Sequence, residues 1–180
     1  MTPKPNRINS WIAVFLIAVP FLWAVPTYYY LSTQTNKKSA QCEANMTEIG
    51  QALMEYASEN GGVLPSARTW VQDLKLEGDI LRCPADHDKE HPVSYAMNAA
   101  FSGKKLADIK DPAHAILIYE TTGKSASPFG GDADMVKIGK DTTGVGRHNT
   151  VGYRFNYYVT ADGKAFWPQD LKEFKTLRWK

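Results

Sequence analysis

Residues 11–31 read WIAVFLIAVPFLWAVPTYYYL, and residues 37–62 read KKSAQCEANMTEIGQALMEYASENGG. How these two stretches are read decides the fold. The first carries no charge over its whole length. As a helix it would extend roughly 31 Å, the thickness of the hydrocarbon core of a bilayer. Trp11 at one end and Tyr28, Tyr29 and Tyr30 at the other suit the two membrane–water interfaces, where a ring keeps one edge wet; Trp23 lies inside the run. A helix buried in a soluble domain usually keeps a polar face, and this one has none. Pro20 and Pro26 each remove a backbone donor and are expected to bend the helix, which membrane helices tolerate better than soluble ones. A cleaved secretory signal is the competing reading, with Lys4 and Arg7 as its basic region. Pro26 and the tyrosines, however, occupy the place where a small-residue cleavage site belongs.

The second stretch is amphipathic. Cys42, Met46, Ile49, Leu53 and Tyr56 recur at helical spacing and form one stripe, while Glu43, Asn45, Glu48, Gln51 and Glu55 fall mostly elsewhere. Asn60-Gly61-Gly62 supplies the stop, because glycine accepts the left-handed conformation that ends helices. The chain is therefore divided into a tail (1–10), a transmembrane helix (11–31), its amphipathic continuation (32–62) and a sheet domain (63–180). Whether the helix is unbroken through Ser32–Asn36 is left open, since that link has low helix propensity.

Beyond Gly62 the pattern is of short elements. Ser66 is placed as the N-cap of a short helix running to Leu76 and burying Trp70, Val71 and Leu74. Val93–Phe101 is read as a strand or strand-turn. Ala113–Glu120 is apolar on both faces and is read as a central strand, with His114 at its edge as a core histidine. Thr121–Gly146 is a long loop rich in Gly, Asp, Ser and Thr, a length that is usually functional or mobile. Thr150–Thr160 alternates and is read as one strand, turning at Ala161–Lys164 into a hairpin partner at Ala165–Trp167. The tail is read as a short helix laying Leu171, Phe174 and Leu177 on the body. The expected class is α+β: a long N-terminal helix against a small antiparallel sheet.

Charge narrows the partners. The chain has 21 basic and 19 acidic residues, and two of the basic ones, Lys4 and Arg7, precede the apolar run. The remainder is formally neutral and has no basic stripe, which argues against nucleic acid as a partner. Lys4, Arg7 and the free amino terminus face Lys37 and Lys38 across the run, tipping the orientation slightly towards an N-terminus inside. The two cysteines, Cys42 and Cys83, are far apart and form no CxxC pair. Either they are bridged, tying the helix to the domain in an oxidising compartment, or they are two separate buried thiols.

Several groups in order resemble the type IV pilin and pseudopilin superfamily, and within it the bacterial pilin-like proteins that end in a His…Asp-Gly signature. They are Cys42-Glu43-Ala44-Asn45-Met46 with Ile49-Gly50, Ala52-Leu53, Tyr56-Ala57 and Asn60-Gly61-Gly62; Leu64-Pro65; Leu81-Arg82-Cys83-Pro84-Ala85-Asp86; Ser94-Tyr95-Ala96-Met97-Asn98; Ile118-Tyr119-Glu120; Arg147-His148-Asn149; and Asp162-Gly163. The resemblance spans about residues 40–167 and implies a pilin-like fold. Two features depart from it. The spacing from His148 to Asp162 is longer than that group's usual spacing. The processing signal is also absent: the first glycine is Gly50, and the apolar run holds no acid, so a prepilin peptidase has nothing to cut. The resemblance thus implies the fold more firmly than a filament.

Three constellations could carry chemistry. Asp86-His87-Asp88-Lys89-Glu90-His91 mixes hard and soft donors at no zinc spacing, and reads more simply as a solvated charged loop. Asp132, Asp134 and Asp141 offer oxygen ligands on a flexible loop, which suits Ca2+, although the spacing matches no defined calcium loop. Glu120, Arg147, His148 and Asp162 form a polar set near strand ends, read as structural: Glu120 paired with Arg147 or His148, and Asp162 shaping the turn before Gly163. No nucleophile elbow, phosphate loop or HExxH is present, so no enzyme and no resident cofactor are expected. The expectation is a non-enzymatic, single-pass accessory or structural subunit of a multi-protein membrane assembly. It would sit in the bacterial cytoplasmic membrane with its domain on the periplasmic side, its partners being other membrane-protein subunits and the lipid bilayer. A minor pseudopilin of a type II secretion or pilus-like system is one alternative; a membrane-tethered calcium- or glycan-binding module is another.

Overall fold

A computed structural model describes residues 7–88, 90, 92–121, 128–130, 147–150, 153–169 and 171–180. Its first element is helix α1 (Arg7–Glu59), which passes through Pro20, Pro26 and the Ser32–Asn36 link without interruption. The chain divides into two compact units, Met1–Lys37 and Lys38–Lys180.

In the first unit the described side chains of α1 are exposed, apart from the half-buried Ser32 and Gln34. Phe21, Leu22, Trp23, Tyr28, Tyr29, Tyr30 and Leu31 are all exposed, Trp23 to 75%. The hydroxyls of Thr27, Thr33 and Thr35 donate to the carbonyls of Trp23, Tyr29 and Leu31 at 2.7–3.0 Å, so the helix satisfies these polar groups by itself. Among the described residues no helix is long and apolar enough to cross a membrane. The side chains of residues 11–18, where the expected span begins with Trp11, lie outside the described residues.

In the second unit α1 becomes a core element. Cys42, Met46, Ile49, Leu53 and Ala57 are fully buried, following the expected stripe except that Ala57 replaces Tyr56 at its end. Asn45, expected on the polar side, is also buried. Its amide donates to the carbonyls of Asp79 and Arg82 and to the Tyr95 hydroxyl at 2.8–3.3 Å, which explains why a polar side chain is tolerated there. The helix ends as the glycines require: Gly61 and Gly62 have φ of 66° and 81°, and the Gly62 amide donates to the Ala57 carbonyl.

Helix α2 (Trp70–Asp73) starts later and ends sooner than the span expected from Ser66 to Leu76. Thr69 stands at its N-cap, and the Ser66 hydroxyl accepts from the Arg68 amide in the preceding turn. Trp70 and Val71 are buried, while Leu74 is only partly so.

The strands are β1 (Tyr95–Asn98), β2 (Ile116–Glu120), β3 (Phe129–Gly130), β4 (His148–Thr150), β5 (Tyr153–Phe155), β6 (Tyr158–Thr160) and β7 (Ala165–Phe166). A five-stranded sheet has the order β3-β1-β2-β6-β7, with β4 and β5 pairing separately. The strand read from apolarity on both faces, β2, is central and buried throughout. One face carries Tyr95, Met97, Ile118 and Val159 into the core with the α1 stripe. The other carries Ala96, Ile116, Tyr119 and Tyr158, covered by Leu177, Phe174 and Trp179 of the C-terminal tail, which holds helix α3 (Leu171–Phe174). Trp179 meets Tyr119 edge to face at 5.2 Å.

Four expectations need correction. The sheet is mixed, not antiparallel, because β3 runs parallel to β1 with Met97 opposite Phe129. The expectation assumed hairpin neighbours, whereas parallel neighbours need a longer return through the chain. The strand read at Val93–Phe101 is shorter and gives way at Ala99–Phe101 to a 3-10 turn capped by the Asn98 side chain. The strand read as Thr150–Thr160 is broken at Asn156-Tyr157: β5 pairs with β4, while β6 pairs with β2 and β7. The Tyr157 amide donates to the Glu120 carboxylate at 3.1 Å and is therefore unavailable to a ladder. His114 is half-buried rather than core: it precedes β2, and its ring is bonded to the exposed Asp111 carboxylate at 2.8 Å, next to Arg178.

Gly50 and Gly163 account for a close approach. A Cβ on Gly50 would overlap the Gly163 carbonyl oxygen, and one on Gly163 would overlap Met54. The helix backbone therefore lies directly against the β6–β7 turn. At that turn Gly163 has φ +80°, and Asp162 Oδ1 accepts from the Thr160 hydroxyl at 2.6 Å.

Candidate functional site

The polar residues singled out at strand ends converge in the core beside the cysteines. Glu120 ends β2 and is fully buried. His148 opens β4 and follows Arg147. Cys83 follows the 3-10 turn Gly78–Leu81 and is bonded to Cys42 of α1. The disulfide choice left open by spacing is thus resolved, and no described cysteine is free.

Glu120 organises the cluster. Its Oε1 lies 2.9 Å from His148 Nε2 and 3.6 Å from Arg147 Nη1, and its Oε2 accepts from the Tyr157 amide. Arg147 donates to the carbonyls of Ser94 (3.0 Å) and Thr121 (2.8 Å) and pairs with Asp86 Oδ2 at 2.9 Å. Asp86 also accepts from the Ser94 hydroxyl at 2.8 Å. The Arg147 amide donates to Asn156 Oδ1. The side chains of Arg147, Asp86, Glu120 and His148 are at most 6% exposed. Their charges are thus compensated by one another and by backbone groups, as buried ions require.

The His148 ring packs between Phe155 (5.5 Å) and Tyr157 (4.9 Å), and its Nε2 is 3.6 Å from Cys83 Sγ. Tyr95 lies on the same side; burial first and the Glu120 charge second push its hydroxyl well above the usual tyrosine range. Tyr157 is pushed up to about 12 by burial and by the nearby carboxylates of Glu43 and Glu120. Both hydroxyls therefore remain neutral hydrogen-bond groups.

Glu120, Arg147 and His148 are brought together, whereas Asp162 stands apart in the β6–β7 turn. Burial alone pushes the Asp162 carboxyl up, but hydrogen bonds from Thr160 and Lys164, with the Lys164 charge at 2.9 Å, outweigh it and leave the carboxyl below its usual range. By sequence Asp86 is one donor of a solvated loop. The structure instead places it on Arg147, a pairing that no local spacing announces. Asp132, Asp134 and Asp141, the candidate calcium ligands, lie outside the described residues. Enclosed as it is, the cluster works as a clamp joining α1, the 82–86 segment, β2 and β4. Comparison of this chain with protein-family models, curated proteins and solved structures returned no match.

Proposed function

We propose that the protein is a non-enzymatic, pilin-like accessory subunit, tethered to the bacterial cytoplasmic membrane by residues 11–31 and presenting its domain on the extracytoplasmic side. The observation that carries this reading is the run of exposed large apolar side chains from Val19 to Leu31. Such a surface is costly in water and is matched by lipid or by apolar spans of other subunits. Threonine hydroxyls bonded back into the helix favour the same surroundings. The disulfide favours an oxidising compartment for the domain. With no processing signal before the run, a static subunit of a larger assembly is favoured over a filament-building pilin.

Mass spectrometry of the N-terminus of the membrane-extracted protein tests this. An uncut run through residues 11–31 is the expected result. A chain cut and methylated at the start of the run overturns the static subunit in favour of a processed pseudopilin. Recovery of the full chain in an aqueous fraction overturns the membrane tether itself. Purification in mild detergent should yield stoichiometric integral-membrane partners.

A further inference from the structure

Four ligand-type side chains from four parts of the chain meet in one buried place: Cys42 on α1, Cys83, Glu120 at the end of β2 and His148 at the start of β4. One donor atom from each lies within 4.8 Å of all the others. His148 Nε2 faces a sulfur at 3.6 Å and a carboxylate oxygen at 2.9 Å. A tetrahedral zinc ion, with bonds of about 2.0–2.3 Å, holds its ligand atoms roughly 3.3–3.8 Å apart, so the two sulfurs, bonded to each other here, would have to part on reduction to enter such a site. Two sulfurs, an imidazole nitrogen and a carboxylate oxygen are also the donor classes that zinc takes.

We propose that Cys42, Cys83, His148 and Glu120 are the ligands of a buried zinc-class dication in the reduced chain, and that the disulfide is the oxidised, metal-free form of the same site. The other carboxylate oxygen of Glu120 is already held by the Tyr157 amide, which orients the ligand from behind, while Arg147 stands 3.6 Å from the ligating oxygen itself. The exchange balances. A dithiol gives up two electrons and two protons and becomes a disulfide, while Cys42 and Cys83 become thiols. Binding the dication then releases both thiol protons to solvent, and the proton between His148 Nε2 and Glu120 Oε1 passes to His148 Nδ1 so that both atoms can ligate. Two thiolates cancel the charge of the dication, so the buried cluster carries the same net charge in either form. The Nε2–Oε1 contact is exchanged for two bonds to the metal. Compartment selects the form: metal where thiols are kept reduced, the bridge where they are oxidised.

The test uses the full chain in mild detergent. It is unfolded in guanidinium with a phosphine, which replaces the dithiol because dithiols themselves chelate zinc. Thiol titration confirms that both cysteines are free, and the chain is refolded with Zn2+ or Co2+. Roughly one zinc per chain should survive dialysis, and Co2+ should give thiolate charge-transfer and tetrahedral absorption. His148→Gln should weaken binding by more than roughly 100-fold, and the oxidised chain should retain no zinc. The proposal is overturned if the reduced wild type retains no zinc, whether or not it refolds, or if the oxidised chain retains as much. It is also overturned if His148→Gln and Glu120→Gln both bind as wild type. Should the variants fail to fold, the cobalt spectrum of the wild type decides, since absence of thiolate and tetrahedral bands sinks the site.

Discussion

Residues 19–31 and 42–57 belong to the same helix, yet their apolar side chains meet opposite surroundings. In the first stretch Phe21, Leu22, Trp23 and the three tyrosines are exposed. In the second, Cys42, Met46, Ile49 and Leu53 are sealed in the core. The difference lies in how the apolar residues are distributed around the helix. The second stretch confines its apolar residues to one stripe, which a single neighbouring sheet can cover, and leaves Glu48, Gln51 and Glu55 in water. The first is apolar on nearly every side, so no single partner layer can cover it, and this is the pattern on which the proposed membrane tether rests.

The contrast can be broken from either end. Replacing Phe21 and Leu22 together by arginine puts two charges near the middle of the run, at a cost of about 5–7 kcal/mol for membrane insertion. On the proposed tether, the expected outcome is loss of the chain from the membrane fraction with no change in the melting of the domain. Removing the disulfide by a double Cys42→Ala, Cys83→Ala substitution should act oppositely. A sequence separation of 41 residues puts the loss of domain stability at about 4 kcal/mol by loop-closure entropy. Urea melts should register that loss while membrane retention stays unchanged. Leu53→Ala, which deletes fully buried methyl groups from the stripe, should cost about 2–5 kcal/mol in the same melts. Gly50→Ala sharpens the comparison, since alanine normally strengthens a helix. Here its methyl meets the Gly163 carbonyl, and a loss of about 1–3 kcal/mol is expected in place of a gain.

A last test comes from alkaline pH. Tyr95 and Tyr157 are both raised above the ordinary tyrosine range in the folded chain. Their protonated form is therefore favoured by folding, and that contribution is complete below about pH 10, where the unfolded tyrosines begin to titrate. It is lost as pH rises from there through the folded value of Tyr157, about 12. Domain melts at successively higher pH should fall over this window, and Tyr157→Phe should flatten part of the fall. A stability independent of pH up to 12 would contradict the burial of these hydroxyls.

The features that were legible in the chain alone are local ones. The α1 stripe follows from 3.6-residue spacing, the helix end from Asn60-Gly61-Gly62, the central position of β2 from an unbroken apolar run, and the β6–β7 turn from Asp162-Gly163. Each depends on neighbours a few residues away. The features that were not legible join distant parts of the chain. Asn45 points inward because carbonyls at Asp79 and Arg82 wait for it. The alternation from Thr150 to Thr160 reads as one strand until the Glu120 carboxylate takes the Tyr157 amide. Asp86 looked solvated in sequence, and only the fold brings Arg147 to it.

From sequence by itself came the long N-terminal helix, the change in its character between the apolar run and the amphipathic stripe, and the α+β class. These follow from side-chain period and chain length, which act over a few turns and need no partner. Tertiary structure alone decided that Cys42 meets Cys83, that β3 joins β1 in parallel, and that Glu120, His148, Arg147 and Asp86 share one buried cluster. Those choices depend on which distant groups can satisfy a buried charge or an open strand edge, and such partners exist only once the chain has folded.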